Sequence, residues 1–306
     1  MEDHQSIAKL KSNHDEIIAS KTLTQKALHS IWRDKLTLVA LSYIAILTVI
    51  SLLAPFITDN IMRVDPNEPV TADKFTHPLQ KGYILGADDI GRDQLARLLH
   101  AGGISMAIGF FGSFFALIIG VVLGMIAGFN VGNVIDDGLY WVVITIDSIP
   151  ALFLLILIGS FTSFSAETLV LAVSLIGWPG TWRLIRGQAI SLRATDYILA
   201  ARALGAGPLR IMFQHILPNL ISVTVVSLML GIAGLILTES SLSYLGLGVQ
   251  PPQATWGNML TKSLQFIRAG GLHLVAFPLL MISTTVLCFY IIGDGIRDAF
   301  DPTLQK

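Results

Sequence analysis

The sequence has a single cysteine, Cys288. One thiol excludes an intramolecular disulfide, a paired-cysteine redox motif and a cysteine-built zinc cage. Charge is scarce as well: 13% of the 306 residues are Asp, Glu, Lys or Arg, about half of the roughly 25% usual for a globular chain. Neither sign dominates, with 20 Lys+Arg against 21 Asp+Glu, so bulk charge gives no case for nucleic-acid binding. There is no GxxxxGK[ST] phosphate loop, hence no Walker-type ATP site. His4, His14, His29, His77, His100, His215 and His273 form no HExxH motif and no close pair, so no protein-held catalytic metal is expected. Length alone would allow two soluble domains. A 53% hydrophobic composition points instead to a polytopic membrane protein.

What is present is a series of charge-free blocks. A helix needs about 20 apolar residues to cross roughly 30 Å of hydrocarbon, where unpaired peptide groups are too costly. Residues 36–57, 104–129, 139–164, 218–238 and 274–293 meet that length; the third carries one charge, Asp147. A shorter block, 168–182, reaches it only if Arg183 and Arg186 snorkel to one interface or Glu167 sits at the other. The expectation is an all-α membrane protein with about six spans. It divides into an N-terminal segment (1–35), a first span (36–57), an external loop (58–100), a core of five spans (101–293) and a C-terminal tail (294–306). The first span follows a polar segment, exceeds a signal-peptide core in length and precedes no small-residue cleavage pattern, so it reads as a retained anchor. Ahead of it, Leu28, Ile31, Trp32 and Lys35 recur at helical spacing, which suits an interfacial helix or, equally, a solvated polar tail.

Lys and Arg set the orientation. Six precede the first span, five (Arg183, Arg186, Arg193, Arg202, Arg210) lie between spans four and five, and Arg297 and Lys306 follow the last. The opposite side holds seven: Arg63, Lys74, Lys81, Arg92, Arg97, Lys262 and Arg268. The positive-inside rule places both termini in the cytoplasm.

Gly112, Ala116, Gly120, Gly124 and Gly128 recur every four residues in the second span, a stripe that lets another backbone approach closely, inside the bundle or from a partner subunit. Asp147, three residues before Pro150, is a candidate pore-lining residue; the alternative is a polar group that satisfies backbone freed by the proline. Asp88, Asp89, Arg92 and Asp93 read as a surface ion-pair cluster or a subunit contact.

The loop 195–218 is the informative stretch. Thr195 is placed to cap a short helix, with Asp196 complementing its positive end. Ala200, Ala201 and Ala203 propagate it, Gly205 terminates it, and Gly207-Pro208 starts a second helix before Leu217-Pro218 re-enters the membrane. Taken alone, this is an ordinary inter-helix loop or a small-residue surface that fits a groove on another protein.

Ala200-Ala201, Gly205 and Leu217-Pro218 resemble the EAA-type loop of bacterial ABC importer permeases. Leu85-Gly-Ala-Asp-Asp-Ile-Gly-Arg-Asp93, Ser240-Ser-Leu-Ser-Tyr-Leu-Gly-Leu-Gly-Val-Gln-Pro-Pro252 with Trp256-Gly257, and Gly293-Asp-Gly-Ile-Arg-Asp-Ala-Phe-Asp-Pro302 are similar to blocks of the dipeptide/oligopeptide/nickel permeases of the C-subunit type. The resemblance implies the type I importer permease fold, with Ala200, Ala201, Gly205, Leu217 and Pro218 in the loop that couples to the ATPase. It implies no cofactor bound directly, ATP used by two separate ATP-binding cassette subunits, a homologous second permease (a heterodimer), an extracytoplasmic solute-binding protein, and residence in the bacterial inner membrane. The cargo would be di- or oligopeptides; the alternative is a nickel chelate or another small solute. Within the external loop 239–272, the Gly/Pro/aromatic content of 240–257 fits a re-entrant segment facing the binding protein or the external mouth, or else a well-packed external loop. Asp294, Arg297, Asp298 and Asp301 would form a solvated helix end or touch the ATPase. One departure stands out: Leu199 occupies the position of the family's usual Glu, which puts one ATPase contact in doubt. The loop between spans two and three also lacks the basic residues common in relatives. A membrane-embedded enzyme would need clustered polar groups in the spans, and Asp147 stands nearly alone.

Overall fold

The computed structural model describes residues 30–300. Residues 1–29 and 301–306 lie outside the described residues, and with them most of the expected interfacial segment and Asp301; residues 30–33 are helical and Trp32 is exposed.

The long helices are α1 (Lys35–Leu52), α2 (Gln94–Phe129), α5 (Ala166–Arg193), α7 (Pro208–Tyr244) and α8 (Leu272–Phe300), all long and apolar enough to cross a membrane. Between α2 and α5 come α3 (Val134–Asp147) and α4 (Ala151–Phe161), bent by 73° at their break and counting as a sixth span when taken together. The short α6 (Asp196–Ala203) joins α5 to α7. Five long helices and one broken one agree with the expected six spans, but the boundaries differ. The third block is not one straight helix: Ser148-Ile149-Pro150 interrupts it, because Pro150 supplies no backbone donor. The fourth runs well past Trp182 because Arg183 and Arg186 are neutralised by acidic partners on α3 and do not end the span.

The glycine stripe packs inside the bundle. A methyl on Gly112, Gly120, Gly124 or Gly128 would approach Val173, Thr181, Ile185 or Ala189 of α5 to within 2.6–2.9 Å, and Ala116 faces Gly177 at the same sequence offset. A constant offset means that α2 and α5 run parallel and in register along about 24 Å, at 1.5 Å per residue. Small residues permit this close approach, which supplies association in lipid where the hydrophobic effect does not.

On the other side of α2, Leu98 and Ala101 pack with Ile232 and Ile236 of α7 and with Ile282, Val286 and Phe289 of α8. The α1 helix is capped by Asp34, whose carboxylate accepts from the Leu36 and Thr37 amides. It docks on α8, where Tyr43 Oη lies 2.6 Å from Thr284 Oγ1.

Candidate functional site: an exposed short helix at one end and a packed cap at the other

The α6 helix is held at both ends by backbone chemistry. Its C-terminus closes with the Ala206 amide on the Ala201 carbonyl and the Gly205 amide on the Arg202 carbonyl, each at 3.0 Å. This double bond needs a left-handed residue after the helix, and Gly205 supplies φ +87°. The expected side-chain cap is not formed: Thr195 Oγ1 donates backward to the Leu192 carbonyl at 2.6 Å, tying the turn to α5 instead. Ile198 is fully buried among Met125 of α2, Ile185 of α5 and Ile211 and Ile216 of α7, so α6 is rooted in the spans by one side chain. Arg193 Nη1 donates to the Phe129 carbonyl at 2.8 Å, and the Arg202 guanidinium lies 5.3 Å from the Phe129 ring, which fastens the end of α2 to the same unit.

The opposite face is bare. Leu204 is 90% exposed and Leu199 48%, with Tyr197, Ala200 and Gly205 exposed beside them and Ala201 half-buried. Leu217 is half-buried and Pro218 exposed. The helix does not break at this second proline. A wide turn, Met212–Ile216, precedes it and removes the need for a regular bond to the missing Pro218 amide, so α7 enters the bundle continuously.

At the other end of the bundle, the first loop and residues 245–271 form a packed cap. Trp256 is fully buried, its backbone amide donating to Ser105 Oγ at 3.1 Å and its indole to the Leu98 carbonyl at 3.3 Å. The cluster expected at the surface is largely interior. Asp88 and Asp93 are buried: Asp88 accepts from the Ile90 and Arg92 amides and from Arg92 Nε at 2.7 Å, while Asp93 caps α2 through the Ala96 amide at 2.8 Å. Burial pushes the Asp93 carboxyl up, against the opposing pull of its backbone donors. Asp89 reaches Lys262 at 2.5 Å, joining the two loops. The Asp89–Lys262 ion pair therefore ties the two loops together. A cavity of about 270 Å³ lies between them, with Asp89, Arg92, Asn258 and Lys262 among its lining residues.

The expected external loop 239–272 begins later, since α7 continues to Tyr244. This places Glu239 inside the helix and wholly buried, where it accepts from Ser243 Oγ at 2.7 Å and Ser105 Oγ at 3.3 Å. Sequence reasoning missed it; the only signal was one acidic residue closing an apolar run. The last helix likewise runs on to Phe300, so Asp294, Arg297 and Asp298 are exposed side chains along α8 and not residues beyond its end.

Asp147 terminates α3 and pairs with Arg183 of α5; both are exposed. About three turns earlier in α3, Asp136 receives Arg186 in a two-pronged bond, both contacts at 2.6 Å, and Arg186 also stacks 5.5 Å from the Trp182 ring. The structure therefore brings Asp147 together with Arg183 and keeps it apart from the residues of the α6 turn.

Residues 120–306 match the family described as binding-protein-dependent transport system inner membrane component. The chain belongs to that family. It is 31% identical to the dipeptide transport system permease protein DppC of Bacillus subtilis over 94% of this chain and 88% of that protein. It is 34% identical to the oligopeptide transport system permease protein OppC of the same organism, over 94% of each. The DppC of Haemophilus influenzae is 34% identical over 94% of this chain and 97% of its own length. A solved structure of the MetNI methionine ABC transporter in inward-facing conformations superimposes with a TM-score of 0.55 at 21% identity, covering 68% of this chain and 97% of the matched one. That likeness supports the ABC importer permease fold.

Proposed function

We propose that this chain is a permease subunit of an ATP-driven importer of di- and oligopeptides, working by alternating access with ATPase subunits that dock on α6. The observation that carries the coupling role is the split character of α6: Ile198 is sunk into the spans while Leu199 and Leu204 face outward. A docked ATPase gripping the bare face would move α5, α7 and the end of α2 with it as one body. Leu199 in place of the family's Glu makes this grip apolar. The peptide cargo rests on relatives over nearly full length whose names specify dipeptides or oligopeptides.

The assembly we infer contains a homologous second permease, two ATP-binding cassette subunits and an external solute-binding protein. Both termini and α6 lie on the cytoplasmic side of the inner membrane, and the loops around Asp88 and Trp256 face outward. ATP acts by favouring one of two conformations through the α6 contact, and this chain contributes no hydrolytic site. Changing Leu204→Asp together with Ala201→Asp should leave membrane insertion intact and abolish co-purification of the ATPase subunits. Undiminished co-purification would remove α6 from the mechanism. ATP-dependent uptake of a labelled dipeptide by the reconstituted transporter tests the cargo.

A further inference from the structure

The break between α3 and α4 holds two opposite charges at a height where a membrane protein does not expose them to lipid. Asp147 and Arg183 form an ion pair whose side chains are 37% and 57% exposed. Beside them opens a cavity of about 390 Å³, lined also by Ile149, Pro150 and Ile176. Ile176 fixes the height. At 1.5 Å per residue it stands about 15 Å from the first residue of α5 and about 25 Å from the last, near the middle of a hydrocarbon layer roughly 30 Å thick. Arg183 meets Asp147 at this same cavity, seven residues after Ile176 on α5.

Ionised groups at that depth face a bundle interior or a water-filled cavity. Asp136 and Arg186 satisfy the rule by burial: the Asp136 side chain is 4% exposed. Asp147 and Arg183 do not, so their open side marks water or a polar ligand. The chain is also interrupted there. The first bonds of α4 run from the Phe153 and Leu154 amides to the Pro150 carbonyl, so the Ala151 and Leu152 amides precede its hydrogen-bond ladder, and irregular backbone at membrane depth is tolerated where it lines a cavity.

We infer that Asp147 and Arg183 form a transient binding site in the translocation path for the charged termini of a small peptide, with Asp147 taking the ammonium group and Arg183 the carboxylate. The inference rests on the peptide-import reading above and adds a location to it. A zwitterion suits this site for an electrical reason. Exchanging one internal ion pair for two pairs with a passing solute leaves every charge neutralised, whereas a solute of single charge would strand one partner. The cavity volume falls within the range of small-ligand sites, about 300–1,000 Å³. The site is shallow and open, which suits passage in place of retention.

The test uses the complete transporter with Cys288→Ser as background. Asp147→Cys and Arg183→Cys are labelled in membranes with a charged, membrane-impermeant methanethiosulfonate, with Ile46→Cys, exposed on α1, as reference. Labelling at 147 and 183 at least tenfold faster than at 46, in both variants, is expected. Rates equal to the reference mean that lipid or a partner subunit covers the pair, and the inference falls. The neutral double variant Asp147→Asn with Arg183→Gln should assemble with its ATPase subunits and move a saturating labelled dipeptide about tenfold more slowly. Parent-level uptake by that variant overturns the binding role even if the positions are wet. Fast labelling of the two cysteine variants, together with a parent transporter that moves no dipeptide, sinks the peptide reading and, with it, the ligand assigned here, while the wet path stands.

Discussion

Gly120 leaves to Thr181 the space that its own side chain would need: a methyl there would lie 2.6 Å from Thr181 Cβ and 2.9 Å from the Trp178 carbonyl oxygen. The obstacle is a backbone atom and a branched carbon, neither of which can rotate away. Gly120→Val should therefore separate α2 from α5 and cost about 1–3 kcal/mol by overpacking. Gly187→Ala, where an added methyl meets nothing within 4 Å, should leave the melting temperature of the detergent-solubilised protein unchanged. Equal melting temperatures for the two variants would contradict the register.

Glu239 of α7 accepts from Ser243 in the same helix and from Ser105 of α2, and Ser105 in turn receives the Trp256 amide. Replacing it by Leu removes the acceptor from two buried hydroxyls, a loss of about 1–3 kcal/mol. Glu239→Gln keeps an acceptor oxygen and should cost less. Thermal unfolding of the two variants, measured side by side, should rank them in that order.

Asp136 and Arg186 form the better-buried of the two pairs between α3 and α5. Asp136→Asn should destabilise by about 3 kcal/mol, the lower end for breaking a buried pair, because Arg186 keeps some access to water. The double change Asp136→Asn with Arg186→Met should recover part of that loss. A double-mutant cycle in which the two single losses simply add would deny the coupling.

Asp93 sets a pH dependence. Its carboxyl is raised in the folded protein by burial, so folding favours its protonated form. Its contribution is therefore fully present below the ordinary unfolded-state carboxyl value and is lost as pH rises through the raised folded value. Asp93→Asn retains the cap on the Ala96 amide and should flatten this part of the stability profile without loss near neutral pH. Asp93→Ala should lose the cap, about 0.5–2 kcal/mol, by an amount that changes with pH as the parent Asp93 titrates.

The membrane class, the number of spans and the α6 turn were legible because each rests on local properties: absent charge, chain length, and Gly205 where only a left-handed residue closes the helix. Helix ends were not, and the reason is the same at each. Arg183 and Arg186 look like loop residues until Asp147 and Asp136 are brought beside them, and no spacing rule pairs residues across a helix break. The small-residue stripe announced a close contact, but its partner, α5, carries bulky residues at most of the matching steps and so gave no reciprocal signal. Thr195 had the chemistry of a cap and a nearer acceptor at Leu192. Asp88 and Asp93 have the composition of a wet surface, yet Asp88 is buried among its own loop's amides and Arg92 and Arg97, and Asp93 is spent on capping α2.

The seam between α2 and α5 has a mechanical consequence. Side chains of ordinary size between two helices absorb a small displacement by changing rotamer, so a push at one end arrives diminished. Here the α2 backbone rests directly on α5 side chains at four of five successive steps, three of them β-branched (Val173, Thr181, Ile185) and stiff at χ1, and α2 and α5 together would behave as a pushrod with little lost motion. A shift of about an ångström imposed at Ile198 would thus reach the roof under Trp256 nearly undamped.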